Sequence, residues 1–171
     1  MFSEVDVLFS EIAPNLFMGG TDDEDVIHFP QKSRLPRKDL PFDSIITMYA
    51  WARPADWQVQ EFRYGIPDSR ISDIDLKRLK QTVDWGYQQW TSGDRLLIRC
   101  QAGLNRSGLL TALILMNSGL DAQSAITQIR THRASYALCN SDYEQWLRIE
   151  SESFLLDHRS VNFASLGIRE C

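Results

Sequence analysis

The sequence contains little cysteine, with three residues among 171, at positions 100, 139 and 171. Their separations do not match the spacing of metal ligands, and an odd number argues against the disulfide framework of a secreted protein. We therefore expect a protein without a cysteine metal site or paired disulfides. A reducing compartment, the cytoplasm, is the expected location.

An excess of positive charge is also missing, because 18 Lys and Arg are set against 23 Asp and Glu, for a net charge of −5. Without a broad positive field, general binding to nucleic acid or to an anionic membrane is not expected. One local exception is the group Lys32, Arg34, Arg37 and Lys38. This group is typical of a solvated basic loop, and the alternative is a surface that faces an acidic or phosphorylated partner.

Long apolar runs are absent as well. Residues 1–10 contain neither a basic segment nor a continuous apolar stretch, and the most apolar helical pattern, Leu109 to Met116, is interrupted by Thr111. That pattern is too short to cross a membrane. Hydrophobic residues make up 43% of the 171 residues, which suits a single soluble domain. We expect its core to span about residues 11–157, followed by a tail over 158–171.

Strand patterns are found mainly in the first half of the chain. Glu11 to Gly20 is an extended apolar segment that ends in paired glycines, and we predict an edge strand. Phe42–Ala50 and Val59–Pro67 are rich in β-branched and aromatic residues between turn signals. Leu96–Ile98 is a short apolar run typical of a buried strand. These segments predict the strands of a short sheet.

Helical patterns begin with a capping box at Thr21 and Glu24, which predicts a helix from Asp22 toward Phe29, followed by a loop over 30–41. Ser72 is the predicted cap of a helix whose apolar residues recur at helical spacing. These residues are Leu76, Leu79, Val83, Tyr87 and Trp90.

Later helices are predicted over Ser107–Ser118, with Gly119 as the stop, and from Asp121 onward. A second capping box at Ser141 and Glu144 predicts a helix that continues to about Leu156. Strands that come early and helices that come late predict an α/β fold. We expect a short central mixed or parallel sheet with helices on both faces, a three-layer sandwich.

The segment Leu96 to Leu110, LLIRCQAGLNRSGLL, has the pattern strand, tight loop, helix. Backbone N–H groups at a helix N-terminus converge on one small volume, and the helix dipole adds partial positive charge there. Such a volume suits an anion. The helix dipole and the positive charge of Arg106 both favour the ionised form of the Cys100 thiol, the nucleophilic thiolate. The segment therefore predicts a phosphate-binding loop that carries a nucleophile.

Other residues of this loop support that interpretation. The planar guanidinium of Arg106 can meet two phosphoryl oxygens at once, and the Ser107 hydroxyl can donate to the thiolate when it leaves. Gly103 and Gly108 allow the backbone to approach a ligand closely. The alternative is that Cys100 is simply a small buried hydrophobic residue in an ordinary core.

A phosphate monoester that is attacked by a thiolate expels an alkoxide or phenoxide, which a carboxylic acid can protonate. Asp68 in YGIPDSRIS follows a strand and precedes a helix, so we expect it at the sheet edge near Cys100. Asp73 and Asp75 are competing candidates, although the first turn of a helix gives each an ordinary capping role. The alternative for Asp68 itself is a turn-forming aspartate after proline.

The sequence resembles the cysteine-dependent protein tyrosine phosphatase superfamily, and within it the compact dual-specificity type. CQAGLNRS matches the family motif Cys-x5-Arg-Ser, while EIAPNLFMGG, FDSIITMYA and YGIPD look like its first two strands and its acid-bearing segment. The resemblance covers about residues 11–150. It implies attack by Cys100, a phosphocysteine intermediate and hydrolysis by water that Asp68 activates, with no metal or other cofactor.

The resemblance also implies which groups bind phosphate. These are the Arg106 guanidinium and the backbone amides of Gln101, Ala102, Gly103, Leu104, Asn105 and Arg106. Asn140 lies near the position where some relatives have an amide that orients water. Arg99 stands where the family usually has histidine. Its charge could favour the thiolate, or its side chain could point away along the strand.

The expected substrate is a protein that carries phosphotyrosine, with phosphoserine or phosphothreonine as further options. A phosphoinositide or the 5′ end of RNA is the alternative on the same fold, but those relatives usually have Lys or Arg in the loop, whereas QAGLN is uncharged. Rhodanese-type sulfur transfer does not account for the Ile-Pro-Asp segment. A phosphopeptide-binding module without turnover is another alternative, and redox control involving Cys139 is a further hypothesis.

Overall fold

The computed structural model describes residues 8–21 and 41–157. The strands of these residues are β1 Phe9–Ala13, β2 Leu16–Gly19, β3 Ser44–Thr47, β4 Gln60–Arg63 and β5 Leu96–Arg99. They form one sheet in the order β1-β2-β5-β3-β4. β1 is antiparallel to β2, and the other neighbouring strands are parallel. The predicted mixed sheet of an α/β protein is confirmed.

The helices of the described ranges are α1 Leu76–Thr91, α2 Arg106–Asn117, α3 Ala122–His132, α4 Ser141–Ile149 and α5 Ser151–Asp157, with a 3-10 turn over Ile71–Asp73. All five helices share one apolar core with the sheet face that contains Met18, Ile46 and Ile98. The other face carries a second cluster around Phe42 and Leu97, to which no helix of the described residues contributes. The predicted helix over residues 22–29 and the basic loop that follows it lie outside the described residues.

The segment predicted as one edge strand is instead a hairpin. β1 and β2 pair antiparallel across a turn at Pro14 and Asn15, and Asn15 adopts a left-handed φ of 64°. Proline followed by asparagine is a turn signal, so the sequence contained the information that divides this segment. The edge position belongs to β1, while β2 lies inside the sheet beside β5.

Two predicted helix starts are wrong by a few residues. The N-cap of α1 is Asp75, whose side chain accepts from the Arg78 N–H, whereas Ser72 lies in the preceding 3-10 turn. The N-cap of α4 is Asn140 instead of Ser141. Each of these caps is a short polar side chain directly before the first helical residue, where it satisfies free N–H groups.

The late helices also differ in part from the prediction. The helix predicted to run to Leu156 is interrupted at Glu150, which separates α4 from α5. Glu144 binds Arg130 and Arg148 and is not part of a capping box. The predicted start of α3 at Asp121 is confirmed, because its carboxylate accepts from the Ser124 N–H.

The topology brings several loops to one edge of the sheet. Gly19, Arg99 and Thr47 are neighbours at the carboxyl ends of β2, β5 and β3, and parallel strands place their following loops at the same edge. The almost entirely buried helix α2 begins there, directly after the Cys100 loop. Within the described ranges, no helix is both long and apolar enough to span a lipid bilayer.

Candidate active site

The Cys100 thiol lies at the base of the loop between β5 and α2. Its side chain is buried, its backbone N–H donates to the Gly19 carbonyl at 3.1 Å, and its Sγ accepts from the Gly103 N–H at 3.3 Å. The Ser107 Oγ is also 3.3 Å from Sγ. The Gly103 N–H and the Ser107 hydroxyl can each donate a hydrogen bond to a thiolate, so the loop places two donors around the sulfur atom.

The loop turns sharply at Gly103. This residue has a φ of +70°, and a Cβ atom there would lie 2.3 Å from the carbonyl carbon of Gly19. A left-handed φ and a backbone contact this close both require glycine. Gln101 extends the contact with the end of β2, because its carbonyl accepts from the Thr21 N–H at 3.0 Å.

Arg106 is buried at the start of α2 with spare hydrogen-bonding capacity. Its Nη1 donates to the Ile66 carbonyl and its Nη2 to Gln101 Oε1, both at a long 3.4 Å. Its Nε has no acceptor among the described residues. The guanidinium lies over the Tyr49 ring, 5.0 Å from the centroid. It therefore retains donors for an anion, while the ring fixes its plane.

Asp68 lies on the segment after β4 and contacts the Cys100 loop. Its Oδ2 accepts from Asn105 Nδ2 at 3.1 Å, and its Oδ1 accepts from Asn140 Nδ2 at 2.9 Å. Asp73 instead binds Ser69 Oγ at 2.9 Å, and the carboxylate of Asp75 caps α1. Of the three aspartates considered, Asp68 is placed at the site.

Asn140 joins the Asp68 segment to α4. Its Oδ1 caps the helix by accepting the N–H groups of Asp142 and Tyr143, and its Nδ2 also donates to the Ser69 carbonyl at 2.9 Å. The Tyr143 hydroxyl donates to the Pro67 carbonyl. Burial, followed by the negative charge of Asp68, raises the pKa of Tyr143. Tyr143 is therefore uncharged, and its hydroxyl holds the segment that carries Asp68.

Arg133 was not identified from the sequence, yet it binds the backbone of the Cys100 loop. It is buried at the end of α3, where its Nε donates to the Gly103 carbonyl at 3.1 Å and its Nη1 to Ser10 Oγ at 3.2 Å. Burial lowers its pKa, although the nearby Cys100 acts in the opposite direction. An arginine directly after a helix carries no local signal for this role, because the contact joins residues that are distant in sequence.

Arg99 points to the sheet face that lies away from the helices. Its side chain is fully buried, and it donates to Thr47 Oγ1 at 2.8 Å, to the Arg53 carbonyl at 2.6 Å and to Glu61 Oε1 at 3.2 Å. Of the two expectations for Arg99, the structure favours the one in which the side chain points away from the thiol. The Arg99 guanidinium fixes the β3–β4 connection instead.

Cys139 is exposed and Cys100 is buried, and both are free thiols. The Cys139 thiol donates weakly to Asn105 Oδ1 at 3.4 Å, so it lies beside the loop and forms no disulfide with Cys100. Redox control involving Cys139 stays a prediction.

The sequence matches no protein-family model and no curated protein. Among solved structures, a mouse protein classed with the dual specificity phosphatases and complexed with zinc tungstate is 19% identical, with a TM-score of 0.71 over 95% of this chain and 96% of that chain. Human DUSP28 is 17% identical, with a TM-score of 0.68 over 89% and 99% of the two chains. PTPMT1 in complex with PI(5)P is 15% identical, with a TM-score of 0.65 over 89% and 99%.

These identities are too low to transfer a substrate, but the likeness spans nearly the whole of each chain. It agrees with the resemblance that rests on CQAGLNRS and the Ile-Pro-Asp segment. The chain therefore has the fold of the compact dual-specificity phosphatases of the cysteine-dependent protein tyrosine phosphatase superfamily.

Proposed function

We propose that the protein hydrolyses phosphate monoesters on proteins, with phosphotyrosine as the main substrate and phosphoserine or phosphothreonine as further ones. The observation that carries this proposal is the Cys100 loop, in which backbone and hydroxyl donors surround a buried thiol. A buried Arg106, whose Nε has no acceptor in the part of the chain that the structure describes, closes this loop. The phosphate would lie between Sγ and that guanidinium, against the amides of residues 101–106.

In the first step, the Cys100 thiolate attacks phosphorus, so that an S–P bond forms and the ester P–O bond breaks. Asp68 in its acid form gives its proton to the departing oxygen. In the second step, the Asp68 carboxylate takes a proton from water, whose oxygen attacks phosphorus while the S–P bond breaks. The Ser107 hydroxyl, 3.3 Å from Sγ, donates to the thiolate that leaves.

Two features support a protein substrate. The residues between Cys100 and Arg106 carry no charge, whereas a polyphosphorylated headgroup would favour additional cations near the phosphate. The net charge of −5 also disfavours prolonged contact with an anionic membrane. A nucleophilic thiolate is prone to oxidation, which a reducing compartment limits, so we propose the cytoplasm as the location of this activity.

A phosphoinositide is the second candidate substrate, favoured by one observation. Trp51 and Trp57 are 85% and 86% exposed in the β3–β4 connection, which begins beside Tyr49, the residue in contact with Arg106. Exposed tryptophans suit a membrane interface as well as a protein surface. PTPMT1, which has the same fold, was solved with PI(5)P.

The test measures turnover of p-nitrophenyl phosphate and of matched phosphotyrosine, phosphoserine and phosphothreonine peptides by the wild type and by Cys100→Ser. We expect the substitution to lower kcat by about three orders of magnitude or more. Equal rates in the two proteins would contradict the assigned nucleophile. Binding of phosphopeptide by the intact protein without turnover would replace the enzyme with a binding module.

A second measurement separates the two substrate classes. Phosphate release from the peptides is compared with release from vesicles that contain a phosphoinositide, for the wild type and for Trp51→Ser combined with Trp57→Ser. We expect the peptides to be better substrates. Faster release from vesicles, lost in the double variant, would favour the lipid.

A further inference from the structure

We propose that Asn105 is a positioning residue that attaches the acid Asp68 to the phosphate-binding loop. The inference depends on the proposed hydrolysis, because Asp68 has a chemical role only in that reaction. Asn105 directly precedes Arg106, so a group that binds the Asn105 side chain is held at a fixed position relative to the phosphate site. Its Nδ2 lies 3.1 Å from Asp68 Oδ2.

The orientation of the Asn105 amide follows from its other contacts. Its Oδ1 accepts the backbone N–H of Asn140 at 3.0 Å and the Cys139 thiol at 3.4 Å. A backbone N–H can only donate, so the amide oxygen must face it. The amide nitrogen of Asn105 is thereby directed at the Asp68 carboxylate.

The second amide is fixed by the same principle. Asn140 Oδ1 accepts the N–H groups of Asp142 and Tyr143 at 3.1 and 3.2 Å, which directs its Nδ2 to Asp68 Oδ1 at 2.9 Å. Each oxygen of the carboxylate therefore receives one N–H from a different amide, and the Asn140 backbone N–H joins the two amides. This arrangement restricts rotation of the Asp68 side chain.

Asp68 needs this support because it is exposed and follows proline on a short connection. Asn140 alone would attach the carboxylate to α4, whereas Asn105 attaches it to the loop that would hold the phosphate. A proton donor that moves with the phosphate site retains a productive geometry. Each carboxylate oxygen has two lone-pair sites, so one N–H contact per oxygen leaves room for the transferred proton.

The test compares phenyl phosphate, whose poor leaving group requires protonation, with p-nitrophenyl phosphate, whose leaving group does not. We expect Asn105→Ala to lower kcat/KM about tenfold for phenyl phosphate and less than about threefold for p-nitrophenyl phosphate. Asn105→Asp preserves the acceptor for the Asn140 N–H but removes the donor to Asp68, so its loss should be at least as large. Inhibition by inorganic phosphate should stay unchanged in Asn105→Ala.

A double-mutant cycle isolates the link to the acid. In an Asp68→Asn background, Asn105→Ala should cause no further loss on phenyl phosphate, because no acid remains to be positioned. Ser141→Ala, an exposed neighbour of Asn140, is the control and should match the wild type on both substrates.

An equal loss on both substrates, a weaker inhibition by inorganic phosphate, or an additive loss in the Asp68→Asn background would overturn the role of Asn105. These results would leave the proposed hydrolysis intact. Absence of turnover of either substrate by the wild type would instead contradict the proposed function, and the role of Asn105 with it.

Discussion

The buried guanidinium of Arg99 donates to the Glu61 carboxylate at 3.2 Å and bridges β5 to β4 across the intervening strand β3. Removal of one partner of a buried pair leaves an uncompensated charge. We therefore expect Glu61→Leu to lower the free energy of unfolding by about 3 kcal/mol, measured by urea denaturation. The double variant Arg99→Met with Glu61→Leu should recover part of this loss.

A matched control is the more exposed pair of Arg95 and Asp43, at 3.1 Å. Because solvent weakens such pairs, Arg95→Met should cost less than about 1 kcal/mol. A loss in Glu61→Leu no larger than that in Arg95→Met would show that the buried pair is unimportant for stability.

Glu61 should also make the stability depend on pH. Its burial raises the pKa, but hydrogen bonds from Thr47 and Ala55 and the charges of Arg63 and Arg99 outweigh burial and hold the pKa below its ordinary value. A carboxyl group with a lowered pKa stabilises the folded state above the unfolded-state pKa, and this contribution is lost as the pH falls through the folded-state pKa.

Glu61→Gln should therefore be less stable than the wild type at pH 7, with the difference shrinking as the pH falls below about 4. Thermal unfolding at a series of pH values measures this. A difference that is constant between pH 7 and pH 3 would show that the charge of Glu61 is not responsible.

Gly103 provides a test of the loop geometry. A Cβ atom at this residue would meet the Gly19 backbone at 2.3 Å, whereas a Cβ atom at Gly93, which also has a positive φ, would meet nothing within 4 Å among the described residues. Gly103→Ala should lower turnover of p-nitrophenyl phosphate by about 10²-fold or more, because small displacements of catalytic groups are costly.

Gly93→Ala is the control, because it introduces similar backbone strain without the contact. It should lower stability by about 1 to 2 kcal/mol and leave kcat unchanged. Equal effects of the two variants on kcat would show that strain alone is responsible, and that the close approach to Gly19 is not needed.

Arg106 should not be replaceable by lysine. A lysine keeps the charge but loses the planar pair of donors, so we expect Arg106→Lys to lower kcat/KM by about 10²-fold or more and to weaken inhibition by inorganic phosphate. Arg78→Lys is the matched control, since both guanidinium groups lie 5.0 Å over a tyrosine ring. Equal activity in Arg106→Lys and the wild type would contradict a bidentate role.

Patterns within short segments predicted much of the fold. The strand, loop and helix around Cys100 and the start of α3 at Asp121 were correct because neighbouring residues determine them. The errors at Ser72 and Ser141 are choices between polar residues one to three positions apart, and the error at the β1–β2 hairpin is a turn signal that was not used. The turn signal at Pro14 and Asn15 was present in the sequence, whereas the choice of helix cap depends on which residues pack against the core, which a local pattern does not record.

By itself, the sequence determined that a cysteine, an arginine and a serine meet in one loop, because Cys100, Arg106 and Ser107 belong to one short segment whose spacing fixes their geometry. Only the tertiary structure decided which aspartate meets that loop, which way Arg99 points and that Arg133 holds Gly103. It also revealed the link from Asn105 to Asp68, between side chains that are 37 positions apart. Such contacts arise from the order of the strands and the packing of the helices, so no local spacing encodes them.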